Sequence, residues 1–415
     1  MSQNETKVLT EEPKVNKYSA MMIIVCGLLT AMGAFHMDPI NSTLPTIAKA
    51  LNTAGNSTLM VTSGFFYGMM IGHVVVGPFS DVIGRKKTIV LGFILLIIGA
   101  LIGANANNLG MLICARMVQG LGGAGVMCTA RAIGGDAGKG AASARALSLM
   151  QIFAGVTPVF LPLVGQAVGA SLGWQAIFYL MVFMDAVLLV LTLIFVKETS
   201  QTSGAGAWKK MATDFKSCMA TPEFLCFTLT FAFSMALFFC YTGAASFAMQ
   251  NELHMTSGMF SIMYSVNGAS MIVGGIIGTA LNGKFKPQNV LRIIHTIQGL
   301  DGLAICILFA THAATIPLLW ALWCIIPLTQ AISLPTGMAL GLNAAGRITG
   351  SGAAFMGFVQ YCFSSISTTI LSNIKATGSM GSAAGLIMLI CAVSAILFCT
   401  LGVHLLKKRN PTVLA

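Results

Sequence analysis

Stretches of about 20 apolar residues, the length an α-helix needs to cross a hydrocarbon core, recur twelve times in this chain. They run over 19–42, 58–80, 88–106, 110–134, 143–170, 174–196, 224–250, 256–282, 290–311, 315–342, 348–373 and 382–406. Lipid offers the backbone no water, so each run is expected to be a helix that satisfies its own N–H and C=O groups. The expected fold is therefore an all-α membrane protein with twelve transmembrane helices, called spans 1 to 12. Charged residues are only 8% of the 415, against roughly 25% in soluble domains. Forty-five glycines fit the same fold, because small residues let membrane helices approach closely. The segment 1–17 is polar and the run behind it lacks a clear small-residue cleavage site, so that run is expected to remain as an anchor.

Lysine and arginine mark the sidedness. Nineteen of the 23 basic residues fall on flanks that share a side with the N-terminus, among them Lys14 and Lys17, Arg85 to Lys87, Lys209, Lys210 and Lys407 to Arg409. Lys49 and Lys375 fall on the other side, and Arg116 and Arg131 lie inside a span. By the positive-inside rule both termini are expected in the cytoplasm, with the plasma membrane (in a bacterium, the inner membrane) as the location. The formal charge of +11 does not point to nucleic acid, since the cations punctuate the ends of apolar runs. Eleven cysteines lie mostly inside apolar runs, with no CxxC pair and no His/Cys metal spacing. No metal and no organic cofactor is expected, and no enzyme chemistry.

One long polar interruption, Lys197 to Pro222, divides six spans from six. The expected organisation is a cytoplasmic N-terminal tail (1–18), a six-helix bundle (19–197), a cytoplasmic linker (198–222), a second six-helix bundle (223–406) and a cytoplasmic C-terminal tail (407–415). In the linker, AWKKMATDFKSCM sets Trp208, Met211 and Phe215 near one helical face opposite Lys209, Lys210 and Lys216, as in an interfacial helix; a solvated linker fits equally well.

Residues 77–87, GPFSDVIGRKK, place a carboxylate and three cations in one tight turn between spans 2 and 3. Gly77 would let a partner helix pass closely and Gly84 permits the turn. Asp81 needs a partner, and the positively polarised start of span 11, near Arg347 and Ile348, is on the same side. Arg85 can bridge Asp81 to Asp136 at the end of span 4. The cations serve topology in any case; Asp81 is what points to a conformational latch. In the second half GTALNGKFK (278–286) takes the corresponding place, with Asn282 where a second aspartate is expected. GLGGAG (120–125) satisfies GxGxxG literally, but it lies inside an apolar helix without the strand-helix-strand setting that nucleotide binding requires. It is packing glycine. With no phosphate-binding P-loop in the chain, no ATP-driven step and no ATPase subunit are expected.

Charges inside the membrane cost at least about 2.5 kcal/mol each on insertion scales and mark function by default. Asp38, Arg116, Asp185 and Asp301 are the four that stand out. Pro39 removes the hydrogen bond to the carbonyl of Phe35, which gathers a carboxylate, His36, Asn41 and an open backbone oxygen. An aspartate satisfying broken helix backbone is the competing role for Asp38, and helix packing the competing role for Arg116. Asp185 and Asp301, on helices that are peripheral in the inferred fold, are expected to be satisfied by Ser or Thr on neighbours, with a transport role as the alternative. On span 5, Pro158 and Pro162 with Gly155, Gly165 and Gly169 are expected to bend the helix. Aromatics that could hold a flat lipophilic compound are Tyr67, Phe231, Phe238, Phe239, Tyr241 and Tyr361.

GPFSDVIGRKK resembles the signature loop of the major facilitator superfamily. RMVQGLGGAGVMCTARAIGGD (116–136), SARALSLMQIFAGVTPVFLPLVGQAVG (143–169), GWQAIF (173–178) and GSGAAFMGFVQ (350–360) are similar to the bicyclomycin-resistance branch of its drug:proton antiporters. The resemblance covers about 38–360 and is strongest in the first half. It implies two pseudo-symmetric six-helix bundles working by alternating access, with spans 1, 4, 7 and 10 lining a central cavity. It makes Asp38 a proton site with Arg116 as its electrostatic partner, and the Gly155, Pro158, Pro162 and Gly165 segment of span 5 an antiporter motif. His36, Asn41, Tyr67, Phe238, Phe239, Tyr241 and Tyr361 become the candidate cavity lining. Val82 departs from the family, which commonly has a base there, and His73 stands where a glutamine is usual. The expected function is proton-coupled efflux of amphipathic organic compounds by a monomer in the bilayer, the proton being the coupling ion. Transport of one specific metabolite or siderophore is the alternative, and a receptor or scaffold on a transporter fold a more remote one.

Overall fold

The computed structural model describes residues 20–136, 141–199, 206–346, 349–374 and 379–409. Among these, twelve helical segments are long and apolar enough to cross a membrane: Ala20–Asn41, Asn56–Ile83, Arg85–Ala104, Leu109–Asp136, Gly155–Leu172, Trp174–Phe195, Pro222–Glu252, Ser257–Asn282, Pro287–Ala310, Ile316–Ala345, Gly350–Ser372 and Met380–Arg409. They correspond one to one with spans 1 to 12, within a few residues at each end, except that the fifth segment starts at Gly155, twelve residues into the expected span, although its helix begins at Ala141. The chain is a multi-pass membrane protein. Two spans differ instructively from their apolar windows. Span 1 is broken at Ala31 into Ala20–Thr30 and Met32–Asn41, the second piece containing Pro39. Span 5 is one continuous helix, Ala141–Leu172, that accommodates both Pro158 and Pro162.

Spans 1 to 6 and 7 to 12 form two six-helix bundles. Within the first, span 4 lies against spans 2 and 3 at glycine contacts that no larger residue would permit. A Cβ added at Gly68 would strike the backbone of Met117 and Gly120, one at Gly120 the carbonyl of Phe65, and one at Gly122 the carbonyl of Gly92. The GLGGAG run is thus helix-packing surface. Backbones this close gain dispersion contacts that lipid cannot supply.

The bundles meet along span 2 against span 11 and span 5 against span 8. Gly268 on span 8 faces the carbonyl of Pro158, where an added Cβ would come within 2.8 Å. The proline segment of span 5 is therefore part of the seam between bundles. Gly165 packs on Pro39, with an added Cβ only 2.5 Å from its Cα, whereas nothing lies within 4 Å of the Cβ position at Gly155.

The linker helix, Ala207–Met219, docks on the start of span 11. Ser351 donates to Asp214 Oδ2 at 2.6 Å, and Phe215 meets Phe355 edge-on at 5.2 Å between centroids. Met211 and Cys218 are buried while Trp208 is half-exposed. The apolar face is thus rotated from the expected Trp208 side towards Cys218, because it packs on protein.

Candidate functional site

Three clusters of polar side chains stand out. The first is on the basic side. Span 2 carries its helix past Asp81 to Ile83 and stops at Gly84, whose φ of +102° is a conformation side chains resist. Arg85 Nη1 lies 3.0 Å from Asp81 Oδ1 and donates to Ser80 Oγ at 2.6 Å; its Nε is 3.5 Å from Asp136 Oδ2. Thr199 donates to the same Asp136 oxygen at 3.1 Å. Glu198, just beyond span 6, accepts the backbone N–H of Arg85 at 2.9 Å and of Lys86 at 3.2 Å. It thereby satisfies donors that the first turn of span 3 leaves open, with its negative charge at the positive end of the helix. An added Cβ at Gly84 would fall 2.5 Å from Glu198 Oε2, so Gly84 serves both the turn and the cap. These groups belong to the first bundle and to the two residues that follow it. Arg347 and Ile348, the expected partner region for Asp81, lie outside the described residues, and nothing lies within 4 Å of the Cβ position at Gly77. In the second half Asn282 donates to Thr336 Oγ1 at 2.8 Å.

The second cluster is a seam of uncharged groups on the side away from Arg85. Ser63 and Thr368, both fully buried, share a hydroxyl hydrogen bond of 2.7 Å. Tyr67 and Thr369 share one of 3.2 Å, and Asn56 Nδ2 donates to the Ile374 carbonyl at 2.6 Å. Gln166 donates to Ser257 Oγ at 3.0 Å, and Gln250 to the Ser42 carbonyl at 3.2 Å. Deeper in, Phe66, Phe239 and Tyr361 cluster, with the Phe66 and Phe239 centroids 4.3 Å apart. His73 continues the seam: its ring is 5.0 Å from that of Tyr361, Nδ1 contacts the Met69 carbonyl at 2.9 Å, and Nε2 is 3.4 Å from Cys128 Sγ. Gly357 packs directly on the imidazole. These hydrogen bonds join the two bundles on this side, so the seam is closed there.

The third cluster is the set of membrane charges. Asp38 is 8% exposed and its Oδ2 has no hydrogen-bond partner. Asn41 donates to Tyr264 at 3.4 Å and Asn267 to Tyr241 at 2.7 Å. Arg116 is 1% exposed and does not pair with Asp38. Its Nη1 donates to Gln119 Oε1 and its Nη2 to the His36 carbonyl, both at 2.8 Å, and its guanidinium stacks 4.6 Å from the centre of Phe65. His36 itself points away from the seam: Nε2 is 3.3 Å from Asp185 Oδ1, with both side chains 1% exposed. The expected Ser or Thr partner of Asp185 is replaced by a histidine, and both oxygens of buried Asp301 have no hydrogen-bond partner. Among the described residues no group of three His, Cys, Asp or Glu side chains is placed to hold a metal ion.

The family model of the Major Facilitator Superfamily matches residues 23–399. The chain belongs to the Major Facilitator Superfamily. It is thereby a membrane transporter by family. The bicyclomycin resistance protein homolog of Haemophilus influenzae is 23% identical over 396 residues, 95% of this chain and 98% of that one. Multidrug resistance protein MdtL of Salmonella paratyphi C is 24% identical over 324 residues, covering 78% and 80%. The MFS-type transporter YdgK of Bacillus subtilis is 24% identical over 350 residues, covering 83% and 87%. Among solved structures, a D-xylose-proton symporter superposes with a TM-score of 0.74 at 14% identity, over 91% of this chain and 96% of that one. The match is one of fold.

In this major facilitator protein the structure brings Asp81, Arg85 and Asp136 together, as the motif spacing predicts. It also gathers Asn41, Tyr67, Phe239 and Tyr361 along the seam, while Tyr241 packs inside the second bundle against Trp323 and Phe238, which also meets Phe239. Here the first four act as closing contacts, and His36 is withdrawn from the candidate lining into its pair with Asp185. Sequence reasoning passed over Glu198, Ser63, Thr368 and Tyr264. A lone acid inside the otherwise basic flank after span 6 was the available signal for Glu198. Hydroxyls in apolar spans carry none, because most of them bond their own helix.

Proposed function

We propose that the protein is a proton-driven antiporter that exports amphipathic organic compounds by alternating access. The observation that carries this reading is Asp38: a buried carboxyl within a membrane span, with one oxygen unpartnered, three residues before Asn41, which reaches Tyr264 of the other bundle. A group in that position exchanges its surroundings whenever the seam opens. A proton bound there would ease opening by removing a charge from the interface. The names of the relatives favour efflux of drug-like compounds as the paired step. With the termini in the cytoplasm of a bacterial cell, the closed seam faces outwards. The Asp81, Arg85 and Asp136 latch is then an inward-side device that engages span 11 in the opposite state. One proton charge moving across 100 mV supplies about 2.3 kcal/mol, a roughly 50-fold concentration ratio.

Purified protein in liposomes under an imposed pH gradient tests the reading with a panel of drugs and metabolites. Export-direction movement of a drug should follow the gradient, and Asp38→Asn should abolish gradient-driven transport while retaining substrate exchange. Movement that ignores the gradient, or an Asp38→Asn variant that still couples, overturns it.

A further inference from the structure

We propose that His36 and Asp185 together form a second proton-binding site, separate from Asp38, within the first bundle. The proposal extends the antiport reading, on which only its role in coupling depends.

His36 comes from span 1 and Asp185 from the middle of span 6, and their closest atoms are 3.3 Å apart with both side chains 1% exposed. A buried ion pair that serves structure needs its remaining lone pairs and protons satisfied. This one does not have that support. Neither ring nitrogen of His36 and neither oxygen of Asp185 has a hydrogen-bond partner. The number of protons shared between Nε2 and Oδ1 therefore decides whether the pair is neutral or carries charge, with nothing else to compensate it.

The surrounding helices leave few alternatives. Span 6 packs against spans 1, 3 and 5. Span 3 has no titratable side chain between Thr88 and Ala104, and the helix of span 5 has only Arg145, near its basic end. Span 4 contributes Arg116 and, through Gln119, a contact to Met181 of span 6 at 3.8 Å. Span 1 contributes His36, Asp38 and the thiol of Cys26. Arg116 forms no ion pair among the described residues and spends one guanidinium nitrogen on the His36 carbonyl. The cluster thus holds one permanent cation against two carboxylates and an imidazole, so its net charge changes with each proton taken up.

The fold also supplies a means of exposing the pair. Span 1 is interrupted at Ala31, five residues before His36, and its far piece bears His36, Asp38 and the Pro39 contact with Gly165 of span 5. A shift of that piece moves both proton sites relative to span 6. The step is a bare proton transfer: a proton from water forms an N–H bond on His36 or an O–H bond on Asp185 and later returns to water.

The test needs no substrate. Purified protein is taken from about pH 8 to pH 5, the range in which imidazole changes charge, while an indicator dye counts protons and infrared difference spectra follow protonated carboxyl bands. Asp185→Asn should take up about one proton fewer than the wild type and lose one band, and Asp185→Glu should restore both. Asp38→Asn should lose a different band, and the double variant both. His36→Gln should keep the Asp185 band but shift its titration midpoint. Wild-type uptake by Asp185→Asn overturns the proposal. Should Asp185→Asn fail to fold, an unmoved midpoint in His36→Gln overturns it. A protein that binds this proton yet transports without regard to the pH gradient would sink the antiport reading and leave the site standing.

Discussion

Removing one hydroxyl from the seam should open the protein measurably. Ser63 Oγ and Thr368 Oγ1 lie 2.7 Å apart, both fully buried, on spans 2 and 11. In Ser63→Ala the Thr368 hydroxyl keeps its bond to the Ser364 carbonyl at 2.9 Å, so no buried polar atom is orphaned. Only the net value of one neutral hydrogen bond is lost, about 1 kcal/mol. That corresponds to a roughly fivefold shift of the closed-to-open ratio. Thr368→Val should cost a similar amount, since Ser63 retains a long contact to the Leu59 carbonyl at 3.4 Å. Because both substitutions break the same bond, the double variant should shift the ratio hardly further than either single one, the signature of direct coupling. Spin labels at Asn52 and His312, on exposed turns of the two bundles, would report the ratio as two distance populations in a background free of reactive thiols. Unchanged populations in both single variants, or strictly additive shifts, would refute the claim that this bond holds the seam. The shift should also survive high salt, because no charged pair takes part and screening acts on exposed charges.

Three further outcomes follow from the same geometry. Glu198→Ala should lower the melting temperature of the detergent-purified protein through loss of the span 3 cap, about 1 kcal/mol, with Glu198→Gln affected less; an unchanged melt would mean the cap is idle. Gly68→Ala, whose new Cβ meets the Met117 and Gly120 backbone, should cost about 1–3 kcal/mol, whereas Gly77→Ala, with nothing within 4 Å, should stay within about 0.5 kcal/mol. Thermal unfolding of the two side by side decides it, and equal losses would refute the packing account. Arg116→Lys should lose about 2–3 kcal/mol although the charge is kept, because one ammonium cannot reach Gln119 and the His36 carbonyl as a fork does; a melt matching wild type would show that charge alone suffices.

The spans and the basic turn were legible because both rest on local physics. About 20 apolar residues cross a bilayer whatever they pack against, and Asp81 and Arg85 sit one helical turn apart on the same stretch of chain. Arg116 shows the limit. Its burial in span 4 was expected from its apolar neighbours, but its partner was not Asp38. The carbonyl of His36 took the guanidinium instead, a contact between span 1 and span 4 that sequence spacing does not reveal.

The pairs that join distant parts of the chain were settled at longer range. His36 and Asp185 are 149 positions apart, Arg85 and Glu198 113, and Ser63 and Thr368 305. Periodicity and composition say that such groups are buried; they do not say against whom. Sequence alone determined that this chain is a twelve-helix membrane protein with its cations on one side, because lipid forces every apolar run into a helix and penalises charge inside it. Only the tertiary structure decided which buried polar groups meet, because close helix crossings, at Gly68, Gly120 and Gly122 within the first bundle and at Gly268 and Gly357 between the bundles, turn particular faces towards one another.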